Sequence, residues 1–382
     1  MRIGQYSESF LPVVDGVGRV VVSYAQTMGE MGHAVTVFAP KTDMGDMSAH
    51  PYSVVTYNAF AAPGKFPYHI GLPQLDLPFE RKVHGLQLDI VHAHSPFMAG
   101  RSALHLAKKR GLPIVGSFHS KYYDDFMQAL KVDSLARTGV KTVVEFYQQC
   151  DEVWAVSNAT ADTLHEYGYK GEIIPMPNGT DLRQLDEAVL PGLRARYGLH
   201  EGESILLYVG QMNWKKNIRR ILEAARLLRD RQVSFKLLIA GQGIHADEIA
   251  EASRQMGIER NVVMTGHVAS TRELDGLYTL ADLFVFPSLY DNAPMVLREA
   301  AVMHTPGVLV RGSTAAEVID DGVNGLVCDD TSESLAQVLQ QALGDPAHIA
   351  SMGDAASRTI PISWRSLMDE VLSRYERLVA RR

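Results

Sequence analysis

Short β-branched runs alternate with amphipathic stretches along this chain, and they do so in two successive series. That rhythm predicts parallel sheets with helices on both faces, an α/β doubly wound architecture built twice. Strands are expected in the first half at Arg2 to Tyr6, Ala34 to Phe38, Asp89 to His92, Pro113 to Ser117, Glu152 to Ala155 and Glu172 to Ile174. In the second half they are expected at Ser204 to Val209, Phe235 to Ala240, Val262 to Thr265, Leu283 to Phe286, Gly307 to Val310 and Gly325 to Cys328. Helix-length stretches such as Val17 to Met31, Ile218 to Arg229 and Ala246 to Met256 lie between them. Proline, Asn-Gly and charge interrupt the pattern from Pro175 to Gly192, which reads as a linker. The domains expected are therefore 1–180 and 181–361. The amphipathic C-terminal helix, 362–382, has Trp364, Leu367, Val371, Leu372, Tyr375 and Leu378 near one face and is assigned back to the first domain. A length of 382 residues supplies enough material for two cores.

Cys150 and Cys328 match no metal or redox spacing, which fits two free thiols in a reducing compartment. The N-terminal stretch lacks the plan of a secretory signal and nowhere do 18 apolar residues run together, so a cytoplasmic protein is expected. The formal net charge is −7, and residues 1–180 carry 15 Lys plus Arg against 17 Asp plus Glu. Neither half is broadly basic, so a nucleic-acid partner is not expected.

The candidate sites follow the strands. Asp15-Gly16-Val17-Gly18 forms a glycine turn leading into a helix, where the backbone could approach a phosphate closely. A purely structural turn accounts for these glycines equally well, and the spacing is not GxGxxG, which disfavours a nicotinamide dinucleotide. In the second half, YVGQMNWKKN places Lys215 and Lys216 after a strand, where open α/β sheets bind ligands. AGQG (240–243) and TGHV (265–268) put glycines after two further strands, so several loops converge on one sheet edge. His94 and His119 each follow a strand in the first half, whereas His92 falls within one. No carboxylate or cysteine completes a ligand set around His-x-His, so packed or hydrogen-bonded histidines are favoured over a metal. A Ser-His-Asp hydrolase is unsupported, because no G-x-S-x-G elbow is present.

These motifs, MRIG with LPVVDGVG, GEMGHAVTVFAP, DIVHAHSPF, SFHSKYYDDF, VWAVSNATAD, PNGTD, YVGQMNWKKN, IAGQG, FVFPSLYDNAPMVLREAA, EVIDDGVNGLVCD and the terminal SW, resemble in order and spacing the family 4 retaining glycosyltransferases. The resemblance implies the GT-B fold, two Rossmann-like domains facing across a cleft. It also implies transfer of a hexose from a nucleotide sugar, UDP-glucose or a relative, with retention and without a metal or other cofactor. Position by position, it gives Gly16, His119 and Asp291 roles at the reacting sugar. It gives Lys216 the diphosphate, Glu299 the ribose, and Gln211, Gly241, Val268, Asn292, Ala293, Met295 and Val296 further donor contacts. His94, with Arg101, Lys108 and Lys109 on a basic helix beside Leu104, Leu106 and Ala107, would face the acceptor. The motifs look most like the subgroup acting on diacylglycerol and other membrane lipids, with an anionic membrane surface as a partner and peripheral attachment to the inner face of the membrane. A polyprenyl-linked or soluble glycan acceptor, a solvated helix end, and a silent sugar-nucleotide-binding subunit stay open beside it.

Two positions depart from the family pattern. Gln211 stands where many members carry an arginine on the diphosphate, a loss that Lys215 or Arg298 could offset. Asp291 is one methylene shorter than the usual glutamate.

Overall fold

The computed structural model describes residues 1–12, 15–61 and 69–382. The chain divides into two compact units, Met1–Gly179 with Ser363–Arg382, and Thr180–Ile362.

In the first unit, β1 (Arg2–Tyr6), α1 (Gly16–Glu30), β2 (Ala34–Pro40), β3 (Ser53–Tyr57), β4 (Ala59–Ala61), β5 (His69–Gly71), α2 (Leu77–Gly85), β6 (Ile90–Ala93), α3 (Met98–Arg110), β7 (Ile114–Phe118), α4 (Tyr122–Leu130), α5 (Asp133–Tyr147), β8 (Glu152–Ala155), α6 (Asn158–Glu166) and β9 (Ile174–Pro175) follow in order. Among the described residues the sheet runs β3-β2-β1-β6-β7-β8-β9, every pair parallel, with β4 and β5 as a separate antiparallel pair. The order reverses beside β1, so the loops after β1, β6 and β7 open at neighbouring points on the carboxyl edge. The second unit continues with α7 (Leu190–Tyr197), β10 (Ser204–Val209), α8 (Ile218–Asp230), β11 (Phe235–Ala240), α9 (Ala246–Gln255), β12 (Val262–Gly266), α10 (Thr271–Leu280), β13 (Leu283–Phe286), α11 (Met295–Val302), β14 (Gly307–Val310), β15 (Gly325–Cys328), α12 (Ser332–Leu343) and α13 (Pro346–Thr359). Its parallel sheet runs β12-β11-β10-β13-β14-β15. The last helix, α14 (Trp364–Ala380), belongs to the first unit.

Covering a parallel sheet on both faces makes its strands continuously apolar, which is why SILLYV forms β10 with all but its first residue buried. The helices supply the cover. In α8, Ile218, Ile221, Leu222, Ala225 and Leu228 recur at helical spacing and are buried, while the arginines between them face outward. Each large aliphatic side chain so covered contributes roughly 1.5–3 kcal/mol. Gly111, at φ 67°, ends α3 in the left-handed region.

Three expectations need revision. Strand β3 and the β4–β5 pair escape the alternation pattern, because β3 lies at the sheet edge and its middle residues are only half-covered. The Pro175–Gly192 stretch is no continuous linker, since Pro175 pairs in β9 and Leu190 opens α7. Gly16 is not in a turn before the helix but is the first residue of α1. Asp15 caps that helix, its Oδ1 accepting from the Gly18 N–H at 2.7 Å and from Ser9 Oγ at 2.6 Å.

Trp364 packs against Gly179, where a Cβ would lie 2.5 Å from the indole. Along α14, Tyr375 stacks on Trp154 with ring centroids 5.7 Å apart, and Trp364 meets Tyr24 edge-on at 6.2 Å. Aromatic burial is what holds this helix to the first unit. The exposed Arg382–Asp151 pair at its end adds little.

Candidate functional site

In the second unit the sheet order sets β12, β11, β10 and β13 side by side, so the loops that follow them are neighbours. Backbone bonds tie three of these loops together. Gly210 N–H donates to Ala240, Met212 N–H to Gln242, and Gly241 N–H to Gly266, all at 2.9–3.0 Å. Gly241 has φ 141°, and a Cβ there would come within 1.9 Å of the Gly210 carbonyl oxygen. Only glycine fits this junction. Gln211 is exposed, and its carbonyl accepts from Tyr208 Oη at 3.1 Å. Val268 packs half-buried against the core below the edge.

Lys216 ends a single 3-10 turn, Trp214–Lys216, opened by Asn213, whose side chain accepts from the Lys215 N–H. From there Lys216 Nζ reaches Asp291 Oδ1 at 2.6 Å, and Ser288 Oγ donates to Asp291 Oδ2 at 2.5 Å. The ammonium groups of Lys215 and Lys216 lie 4.7 and 5.2 Å from the centre of the Tyr290 ring. Two cations, one carboxylate and one π face thus meet at the loop after β13. Asn292 and Ala293 complete that loop. Pro294 is the N-cap of α11, with extended backbone at ψ 123°, rather than its first helical residue. Proline has no side-chain oxygen to cap with, so the N-cap residue itself makes no side-chain hydrogen bond to the positive end of the helix that Met295 and Val296 begin.

Glu299, buried in α11, accepts from Tyr278 Oη at 3.2 Å. Its neighbour Arg298 points elsewhere: it is buried, donates to the Ile360 carbonyl, and burial pushes its guanidinium down to about 10. Arg298 is therefore not a substitute for the arginine that Gln211 replaces. Lys215 and Lys216 are cations that do stand at this edge, beside Tyr290.

In the first unit Gly16 is exposed, and a Cβ built on it meets no described atom within 4 Å. His94 lies just past β6 and His119 just past β7, and His94 Nδ1 is 3.3 Å from His119 Nε2. Rings of His92, His94 and His119 form a stacked series, with centroids 4.1 and 5.6 Å apart. Burial pushes His119 down to about 4, and burial together with the neighbouring imidazoles holds His92 and His94 well below the usual range. All three are neutral imidazoles at pH 7.

The acceptor-facing group expected from the sequence is not gathered in one place. His94 and Arg101 are near the carboxyl edge, whereas Lys108 and Lys109 occupy the last turn of α3, which runs back to the amino edge. There Lys108 bonds Gln149 and Lys109 meets His84. Leu104, Leu106 and Ala107 are buried in the unit's core, so α3 has no apolar face to lay on a membrane. Ser288 and Tyr290, which touch Asp291 and the lysines, lie within the FVFPSLYDNAPMVLREAA motif but take no role from it, and Tyr278, which touches Glu299, lies outside the quoted motifs. Among the described residues no group of three His, Cys, Asp or Glu could hold a metal ion, and no helix is long and apolar enough to cross a membrane.

The sequence profile described as Glycosyltransferase Family 4 matches residues 14–184, and that of Glycosyl transferases group 1 matches residues 192–359. The chain belongs to glycosyltransferase family 4. It is 25% identical over 358 residues to an alpha-monoglucosyldiacylglycerol synthase of Streptococcus pneumoniae, covering 91% of this chain and 79% of that protein. Over 391 residues it is 25% identical to a GDP-mannose-dependent alpha-mannosyltransferase of Corynebacterium glutamicum, covering all of this chain and 90% of that protein. Its fold is like that of Anabaena HepE in complex with UDP and glucose, with TM-score 0.79, 18% identity, and coverage of 98% and 99%. Sucrose-phosphate synthase from Thermosynechococcus elongatus superposes with TM-score 0.84 at 19% identity over the full length of both chains. This family 4 protein thus has the GT-B fold, and it is a hexosyltransferase.

Proposed function

We propose that this glycosyltransferase moves a hexose from UDP-glucose or a similar nucleotide sugar to the hydroxyl of a membrane lipid such as diacylglycerol, with retention at the anomeric carbon. The observation that carries the reading is the convergence of Lys216, Asp291 and the uncapped start of α11 on adjoining loops of the second sheet. Such an edge suits a leaving diphosphate, whose growing negative charge a lysine and a helix start can stabilise without a metal ion. Glu299 would take the ribose, and Asp291, with Asn292 and Ala293, the sugar hydroxyls. In the first unit Gly16 has an exposed backbone and His119 a neutral imidazole, and both would take the roles at the sugar that the family resemblance gives them.

In a front-side step, the bond between C1 and the phosphate oxygen breaks while the acceptor oxygen bonds to C1 on the same face. The acceptor's proton passes to the departing phosphate oxygen. No separate base is then needed. HepE structures holding UDP with glucose, and holding UDP-glucose, support the donor. Alpha-monoglucosyldiacylglycerol synthases of S. pneumoniae and Acholeplasma laidlawii among the relatives support the lipid acceptor and peripheral attachment.

Release of nucleoside diphosphate from a donor panel, with and without lipid extract and in the presence of EDTA, tests the reading. Turnover that requires the extract supports a lipid acceptor, and turnover only with soluble glycans replaces it. Donor binding with no turnover across all acceptors would instead favour a sugar-nucleotide-binding subunit, a role that the pairing of Lys216 with Asp291 and the neutral Gln211 also fit.

A further inference from the structure

A continuous line of buried polar side chains runs behind His119 in the first unit. Ser117 Oγ is 2.7 Å from His92 Nε2, and His92 Nδ1 is 2.5 Å from Tyr375 Oη. Gln5 Nε2 is 3.3 Å from the same Tyr375 oxygen, while Gln5 Oε1 is 2.5 Å from His94 Nε2. His94 Nδ1 then meets His119 Nε2 at 3.3 Å. We propose that Gln5 and Tyr375 are positioning residues that decide which ring nitrogen of His119 carries its proton.

The argument is one of donors and acceptors. An amide oxygen can only accept, so the proton on His94 is on Nε2, facing Gln5. His94 is neutral, which leaves its Nδ1 a bare acceptor. The proton in the next bond must therefore come from His119 Nε2, and because His119 is neutral too, its Nδ1 bears a lone pair. On the other side, the Gln5 amide N–H donates to Tyr375, the tyrosine proton goes to His92 Nδ1, and His92 Nε2–H donates to Ser117. Every bond in the line has one donor and one acceptor.

Rotating the Gln5 amide by half a turn reverses every bond and would place the His119 proton on Nδ1. The line thus has two self-consistent proton registers, and Gln5 selects between them. Tyr375 holds the selection. Its hydroxyl couples the Gln5 amide to His92, taking the amide N–H and passing its own proton to His92 Nδ1 in the observed register, and its ring is fixed between Trp154 and His92, with centroids at 5.7 and 5.9 Å. The C-terminal helix α14 thereby reaches the nitrogen that the proposed function sets against the sugar, and the inference rests on that reading for its catalytic consequence alone.

Long-range 1H–15N correlation NMR of the full-length protein reads the His119 tautomer directly, with His119→Ala identifying the signal. The expected result is one Nε2–H tautomer in the wild type and a mixture of tautomers in Tyr375→Phe and Gln5→Leu. A wild-type Nδ1–H tautomer, or an unchanged tautomer in either variant that retains native amide dispersion, overturns the proposal. Because no substrate is present, this result stands apart from failure of the glycosyltransferase reading, which would show as absent nucleotide release. With an active donor and acceptor, both variants are expected to lose roughly tenfold or more in kcat, the scale on which outer partners orient functional histidines, with donor KM unchanged. A rise in KM alone would contradict it.

Discussion

Lys216 Nζ stands 2.6 Å from Asp291 Oδ1, joining the loop after β10 to the loop after β13 across 75 positions of sequence. Both side chains are largely covered, at 14% and 20% exposure, so the pair is better shielded than a surface ion pair. Under the proposed function the lysine would meet an incoming donor already partnered, and the diphosphate would have to draw it away from Asp291 or share it. Lys216→Met should lower kcat/KM by about 10²–10³, as expected for loss of a group facing developing charge. Asp291→Asn should keep measurable turnover, since in the proposed front-side step Asp291 would position the lysine and sugar but form no bond to C1. Steady-state nucleotide release measures both, and complete loss in Asp291→Asn with native folding would point to a covalent intermediate instead.

Gly16→Ala separates a ligand-facing glycine from a structural one. No described atom stands in the way of a Cβ, and Gly16 begins a helix that alanine favours. Thermal stability should be unchanged or slightly raised while transfer falls at least tenfold, in line with about 1.4 kcal/mol at the transition state. Melting curves alongside turnover check this, and unimpaired transfer would remove Gly16 from the site.

Glu299→Gln keeps the shape of a buried side chain while removing its charge. Loss of hydrogen bonds to a carboxylate costs about 1.5–3 kcal/mol, so donor KM should rise tenfold or more with kcat little altered. Tyr278→Phe, which removes the bond at 3.2 Å, should raise KM less. Titration calorimetry with the nucleoside diphosphate alone should show the same ranking.

The first unit should lose stability in acid. Folding lowers the pKa of His92, His94 and His119 below the ordinary 6.5, and His119 falls to about 4. Between these values the unfolded chain binds more protons than the folded one, so stability rises with pH from about 4 to 6.5 and levels above it. Each unbalanced proton contributes about 1.4 kcal/mol per pH unit. Glu8 acts in the opposite sense. Burial lifts its carboxyl from 4.5 to about 7, although its Oε1 accepts the Ala99 N–H, so its contribution is present below 4.5 and fades as pH rises through 7. Chemical denaturation between pH 4 and 7.5 should show net stabilisation on raising the pH, and His92→Gln should flatten the slope.

Much of the fold was legible because covered parallel strands leave unbroken apolar runs. Leu283–Phe286 and Gly307–Val310 could be read directly from LFVF and GVLV. The β4–β5 pair was not, since its three-residue strands carry no period to detect. At the candidate site, loops following strands announced where Lys216, Asp291 and His119 would fall, but not what they touch. Tyr375 illustrates why. Its spacing on α14 marks it as one more core aromatic, and nothing local reveals that its hydroxyl bonds His92, 283 residues away. Likewise, Lys108 and Lys109 looked continuous with Arg101 along one helix, but seven to eight residues of helix span about 10–12 Å and carry the lysines toward the opposite edge.

The anomeric configuration of the product tests the central claim most directly. Incubation with UDP-glucose and lipid extract in EDTA, followed by 1H NMR of the isolated glycolipid, should give an α-glucoside together with stoichiometric UDP. A β-glucoside, or an α-glucoside formed only when a divalent ion is restored, would contradict a metal-free, retaining transfer built on Lys216 and the start of α11.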